Sequence, residues 1–171
     1  MERYTKTCVR YNERGHAHAL TFSCADRKPL LASPAACQLV VEALSAARAK
    51  QEFDVWAYVV MPEHAHILIW PRKPDYSISA ILFAIKRPVA FWARRHGLNQ
   101  GGHFWLPGGG FDRNVVSARA VHEEIEYMQG NPVRRKLCER PEDWRYSSAR
   151  FWAGGTDVPL AMDKTVPAKD H

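Results

Sequence analysis

The chain has 171 residues and a mass of 19.5 kDa, enough for one domain with a substantial core and too little for several. Hydrophobic residues make up 46% and charged residues 25%, which excludes long disorder, and no apolar run approaches the roughly 20 residues of a membrane span. Against 18 Asp and Glu stand 24 Lys and Arg, giving a formal charge of +6 and a pI near 9.3, so a polyanion such as nucleic acid is the partner to look for.

The opening residues, MERYTKTCVRYNERG, are charged and lack the apolar core of a signal peptide, so a cytoplasmic protein is expected. Cys8, Cys24, Cys37 and Cys138 form no C-x-x-C pair, which points to reduced thiols and away from a disulfide framework or zinc knuckle. Residues 18–24 read as a first strand left by a loop at 25–29. His16 and His18 are a His-x-His pair at the entry to this strand, without long apolar flanks, and are a weak candidate for metal.

Ser33-Pro34 is a helix start, a hydroxyl cap followed by proline at the first helical position. Leu39, Val40, Ala43, Leu44 and Ala47 then recur at helical spacing to about residue 51. Residues 53–60 and 64–70, within VWAYVVMPEHAHILIW, are two apolar strands forming a central antiparallel hairpin across Pro62-Glu63. Side chains alternate along a strand, so His64 and His66 share one face while Ala65, Ile67 and Ile69 take the other. Two imidazoles on one face can share a metal ion.

The next helical stripe is Ile78, Ile81, Leu82, Ile85, Val89 and Trp92, ending near Gly97, and Pro88 should kink or split it. Lys86, Arg87, Arg94 and Arg95 cluster around that break as candidate phosphate contacts. Residues 99–110 are a glycine-rich loop around Phe104-Trp105-Leu106, with no Lys-Ser/Thr of a phosphate-cradling motif, and 111–116 fit a last strand. Ser117 caps a third helix whose buried stripe is Val121, Ile125 and Met128, and Asn131-Pro132 should end it. On its adjacent face Glu123, Tyr127 and Asn131 stand one turn apart. Arg134, Arg135 and Lys136 follow, then an aromatic segment with Trp144. Residues 1–150 are expected as one domain and 151–171 as a flexible tail.

Paired histidines on a strand and a tyrosine on a helix suit phosphoryl transfer by a protein nucleophile. A tyrosine hydroxyl attacks only when charge is drawn from the target phosphate, which a divalent ion held by His64 and His66 would do. A third ligand is needed, with Asn131 and Glu123 as the competing candidates. Trp105, Phe111 and Trp144 are candidates for stacking unpaired bases.

YVVMPEHAHILIWP, followed about sixty residues later by EYMQGNPVRR and then PEDWRYSSA, resembles the REP-associated tyrosine transposases, relatives of the single-tyrosine HUH transposases of insertion sequences. The resemblance implies an α+β domain with a ferredoxin-like or RRM-like antiparallel sheet, helices packed on it and the histidine pair on a central strand. It carries His64 and His66 onto the metal ligands, Asn131 onto a polar third ligand and Tyr127 onto the nucleophile, with Mg²⁺ or Mn²⁺ as the cofactor. The implied reaction is cleavage of single-stranded DNA beside a palindromic hairpin, leaving a 5′-phosphotyrosine and a free 3′-hydroxyl for strand transfer. Either a monomer or a homodimer is compatible. The rival reading is a module that grips hairpin DNA or RNA without cutting it.

Overall fold

The computed structural model describes residues 8–108 and 110–169. Its elements follow in the order β1 (Ala17–Ser23), α1 (Pro34–Gln51), β2 (Phe53–Val60), β3 (His64–Pro71), α2 (Ile78–Arg95), β4 (Phe111–Val115), α3 (Ala118–Arg134) and the short α4 (Ala149–Trp152). The four strands make one antiparallel sheet ordered β2-β3-β1-β4, which is the ferredoxin-like arrangement expected from the sequence. Ser33, Ser77 and Ser117 cap α1, α2 and α3 by accepting from the backbone N–H three residues on.

The alternation of side chains sends the two faces of the sheet into separate cores. Leu20 and Phe22 of β1 with Ala65, Ile67 and Ile69 of β3 face α1 and α2. Ala17 and Ala19 of β1 with Leu68 of β3 join Val121, Ile125 and Met128 of α3 on the opposite face. In β2 a bulge between Val55 and Ala57 shifts the parity, so Val55 and Tyr58 both face α1 and α2 although they are an odd number of positions apart. His64 and His66 share parity with Leu68 and therefore stand on the α3 face.

Several expectations need correction. The hairpin of β2 and β3 is not the centre of the sheet: β3 and β1 are central, and β2 lies at the edge. Every residue of β2 is nevertheless buried, because the C-terminal segment covers that edge. Val60 N–H donates to the Tyr146 carbonyl, Ser148 N–H to Tyr58 and Asp163 N–H to Val55, so the unpaired backbone groups of an edge strand are satisfied here.

Residues 151–169 are accordingly not a loose tail. Leu160 and Met162 enter the α1/α2 core, the Asp163 carboxylate accepts from Val55 N–H at 2.8 Å, and Thr165 bridges Asp54 and the Trp56 indole. The sequence of this stretch has no periodicity, because it is held by edge pairing and single anchors.

Both prolines lie inside helices that continue past them. Ile85 and Val89, buried on either side of Pro88, hold both turns to the sheet, so the one lost backbone bond does not split α2. Past Pro132, Arg135 N–H donates to the Asn131 carbonyl at 3.0 Å and carries α3 beyond its expected end. Trp92 is 43% exposed, and Ala93 takes its place in the buried stripe.

Candidate functional site

β3 offers His64 and His66 to the α3 side of the sheet, and their Nε2 atoms converge to 2.9 Å. Each ring is held from behind through Nδ1. Glu63 Oε1 lies 2.9 Å from His64 Nδ1, and since a carboxylate only accepts, that nitrogen carries the hydrogen and His64 Nε2 presents a lone pair. Thr21, the cross-strand neighbour of His66 on β1, places Oγ1 2.7 Å from His66 Nδ1. With the Thr21 hydroxyl accepting, both Nε2 lone pairs face one point. Without a cation there, the pair must share a proton. A metal-binding histidine is normally oriented through its other nitrogen in this way.

The electrostatics agree. Burial is the main cause that lowers the pKa of His64, and burial with the neighbouring His64 and Arg134 charges pushes His66 down to about 4. Neutral imidazole is the ligating form. Glu63 is itself held below the usual carboxylate range: burial opposes its charge, but the hydrogen bond from Arg135 Nη1 at 2.6 Å and the His64 contact outweigh it.

Across the gap, α3 brings Tyr127 over the pair. Its ring meets His66 edge to face with centroids 6.4 Å apart, and at 54% exposure the side chain stays open to a ligand. Arg134, two turns on, lays its guanidinium 4.3 Å from the Tyr127 ring centroid and donates to the Tyr127 carbonyl at 2.6 Å. Asn131 stands one turn beyond Tyr127 and is buried, yet its side-chain amide has no hydrogen-bond partner among the described residues. Glu123 is 61% exposed in its side chain and tied to Arg119 at 2.8 Å, one turn before it on the same helix.

The site thus fits a divalent ion. Among the described residues no three His, Cys, Asp or Glu side chains cluster, so a third protein donor beside the two histidines has to be of another type. Of the two candidates, Asn131 has an unengaged oxygen and Glu123 a competing ion pair. The other His-x-His is engaged elsewhere: His18 Nδ1 meets Asp112 at 2.8 Å and its Nε2 meets Tyr76 Oη at 2.7 Å, while His16 Nδ1 meets Asn114.

The basic residues divide into groups. Arg134, Arg135 and Lys136 lie at the end of α3, the first braced on Tyr127 and the second on Glu63, while Lys136 is exposed with no acidic partner among the described residues. Lys86 is half-buried beside Trp105, and Arg87 stacks on Phe83 at 5.5 Å. Arg94 and Arg95 are exposed in the last turn of α2, across the sheet from the histidines. Of the proposed stacking aromatics, Trp105 is buried against Phe22 and Phe104, and Trp144 donates to the Val60 carbonyl from a partly buried position. Phe111 remains, 58% exposed. Glu63 and Thr21 escaped sequence reasoning. Glu63 was visible as the residue before His64, whereas Thr21 lies 45 residues away and only strand register could reveal it.

Fold and site together define a ferredoxin-like α+β domain with paired histidines on a central strand and a tyrosine on the helix facing them. The sequence profile of the IS200-like transposases matches residues 13–130, and the chain belongs to that family. Its fold is that of the REP-associated tyrosine transposase solved bound to a REP hairpin, with a TM-score of 0.72, 21% identity, and coverage of 100% of this chain and 99% of that one. A candidate transposase from Deinococcus radiodurans R1 is more distant, at a TM-score of 0.48 and 20% identity over 77% of this chain and 97% of that one. No curated protein sequence matches the chain. Among the described residues no helix is long and apolar enough to cross a membrane.

Proposed function

We propose that this transposase is a metal-dependent single-stranded DNA endonuclease and strand transferase that acts beside hairpin DNA through a 5′-phosphotyrosine. The observation that carries this reading is the convergence of His64 Nε2 and His66 Nε2 at 2.9 Å directly under Tyr127, each ring oriented from its far nitrogen. His64, His66 and Asn131 would hold Mg²⁺ or Mn²⁺. Such an ion supplies charge neutralisation at the scissile phosphate, which a neutral site cannot.

Tyr127 Oη attacks phosphorus as its proton leaves to solvent, the P–O3′ bond breaks, and the 3′-oxygen takes up a proton to leave as a hydroxyl. The products are a phosphotyrosine on the 5′ side and a free 3′-end, and attack by a 3′-hydroxyl reverses the step in strand transfer. Arg134 keeps the tyrosine ring in place, and Lys136 with Arg135 offers positive charge to the strand at the mouth of the site. Lys86 and Arg87, and Arg94 and Arg95 farther round the molecule, add sequence-independent attraction for the rest of the DNA. A hairpin is the favoured partner because the fold is shared with a protein solved on a REP hairpin. The tyrosine helix packs on the sheet of its own chain, so a monomer holds the full set of groups.

The test is incubation of the protein with Mn²⁺ and hairpin oligonucleotides drawn from the flanks of its own gene, read on a denaturing gel. A covalent protein–DNA band is expected that EDTA and Tyr127→Phe both abolish, while native-gel binding persists in the variant. Retained binding with no covalent band for any hairpin would replace this reading by the non-cleaving module.

A further inference from the structure

Where β4 begins, β1 and the glycine-rich loop enclose a cavity of about 230 Å³ lined by Thr21, Ser23, Arg27, Lys86, Gly110 and Phe111 among others. It is too small for a drug-sized ligand and suits a single planar group. Its position follows from the register: His66 on β3, Thr21 on β1 and Phe111 on β4 are successive cross-strand neighbours. Two strand spacings put Phe111 about 10 Å from His66 on the histidine face of the sheet, while Phe22 and Lys86 line the notch from the α1/α2 side, so it sits at the sheet edge where β4 begins.

Three features distinguish this notch from an incidental gap. Its two cations have no acidic partner among the described residues: neither Lys86 nor Arg27 is engaged by a carboxylate, and burial, followed by the charge of Arg10, lowers the pKa of Lys86. Phe111, the first residue of β4, leaves its ring exposed at the rim of the notch. The backbone is held in the left-handed region at both Asp26 and Arg27, each with φ of 53°, a conformation non-glycine residues adopt under constraint. The opposite wall is equally fixed, because Gly110 has φ of 68° and a Cβ there would collide with the Thr21 carbonyl.

Resting on the DNA-cleavage reading above, we infer that this notch binds the single-stranded nucleotide adjoining the cleaved phosphodiester, with its base stacked on Phe111 and its phosphate held by Lys86 and Arg27. Ser23 supplies a hydroxyl at the base edge. Stacking selects an unpaired base and the cations select its backbone, so the notch admits the strand that leaves the hairpin and rejects paired DNA. Thr21, which orients His66, is itself one wall of the notch, so an occupied notch sets the next phosphate at the histidine pair.

The probe is a set of hairpins from the flanks of the gene, each with one 2-aminopurine in the single-stranded extension, bound to Tyr127→Phe protein so that cleavage plays no part. A several-fold fluorescence change is expected at one position only, next to the phosphate that native protein cuts. Phe111→Ala should abolish that change and Phe111→Tyr should keep it, which separates stacking from misfolding. Lys86→Met and Arg27→Met should each reduce the salt dependence of binding by roughly 0.7 in the log–log slope. A response spread evenly along the extension, or one unchanged in Phe111→Ala, overturns the inference. A localised response without any covalent band in native protein would remove the cleavage reading and leave the notch. A covalent band with no localised response would do the reverse.

Discussion

Thr21→Val isolates the orientation of the histidine pair from everything else at the site. Valine keeps the branched shape and the strand preference of threonine, so β1 and its pairing with β3 and β4 should persist. What disappears is the 2.7 Å contact between Oγ1 and His66 Nδ1. In the metal-bound arrangement Thr21 accepts from Nδ1–H, which fixes the tautomer that leaves Nε2 free to ligate. Losing such an outer partner weakens metal binding by about 10- to 100-fold, or about 1.4 to 2.7 kcal/mol. The effect on folding should be smaller, about 1 kcal/mol for one hydrogen bond at a partly buried site. Isothermal titration of Mn²⁺ into the native protein, Thr21→Val and Thr21→Ser measures the difference. Serine keeps the hydroxyl and should bind nearly as well as threonine. Equal Mn²⁺ affinity in Thr21→Val and the native protein would refute the claim that strand register, through Thr21, sets the ligand geometry.

Further outcomes follow from neighbouring contacts. His66 is held near a pKa of about 4 when folded and returns to about 6.5 when unfolded, so the unfolded chain binds more protons between those values. Stability without metal should therefore be level above pH 6.5 and fall as pH drops through that window, by about 2 kcal/mol at pH 5; urea titrations of native protein and His66→Asn check it, and a flat native profile contradicts it. Asn131→Ala should weaken Mn²⁺ binding at least about tenfold, as loss of a ligand does, while Glu123→Ala leaves it unchanged; the opposite pattern in the same titration would make Glu123 the ligand. Asp163→Ala strands the buried Val55 N–H and should cost about 1 to 3 kcal/mol in denaturant unfolding. Hydrogen exchange should quicken at β2, and unaltered protection there would mean that the C-terminal segment does not hold the edge.

What could be seen in advance depended on the range of the interaction. The period-two pattern of PEHAH and the helical stripe of Val121, Ile125 and Met128 are local, and each put its element and its buried face in the right place. Ser33, Ser77 and Ser117 act on the backbone three residues away, so capping too is written in short windows. The two proline expectations failed for the complementary reason. A proline removes one local bond, but Ile85 and Val89 around Pro88, and Met128 beside Pro132, are buried against the sheet, and tertiary packing outweighs a single missing donor.

The C-terminal segment illustrates the far end of that range. Residues 146–165 contact β2 through three backbone bonds and a few side chains, at sequence separations from 86 for Val60–Tyr146 to 111 for Asp54–Thr165. Nothing periodic marks such a segment, because its partner's backbone, and not its own side-chain pattern, supplies the contacts. The same holds at the site. His64, His66 and Tyr127 carry their chemistry in their identities, and so can be picked out by type and spacing. Thr21 has an ordinary strand residue's identity and gains its role only because β1 lies between β3 and β4, with Thr21 opposite His66 on one side and Phe111 on the other. One register therefore sets both the tautomer of a ligand and the position of the notch for the adjoining nucleotide. A one-residue slip of β1 would turn Thr21 to the α1/α2 face and disconnect the two together.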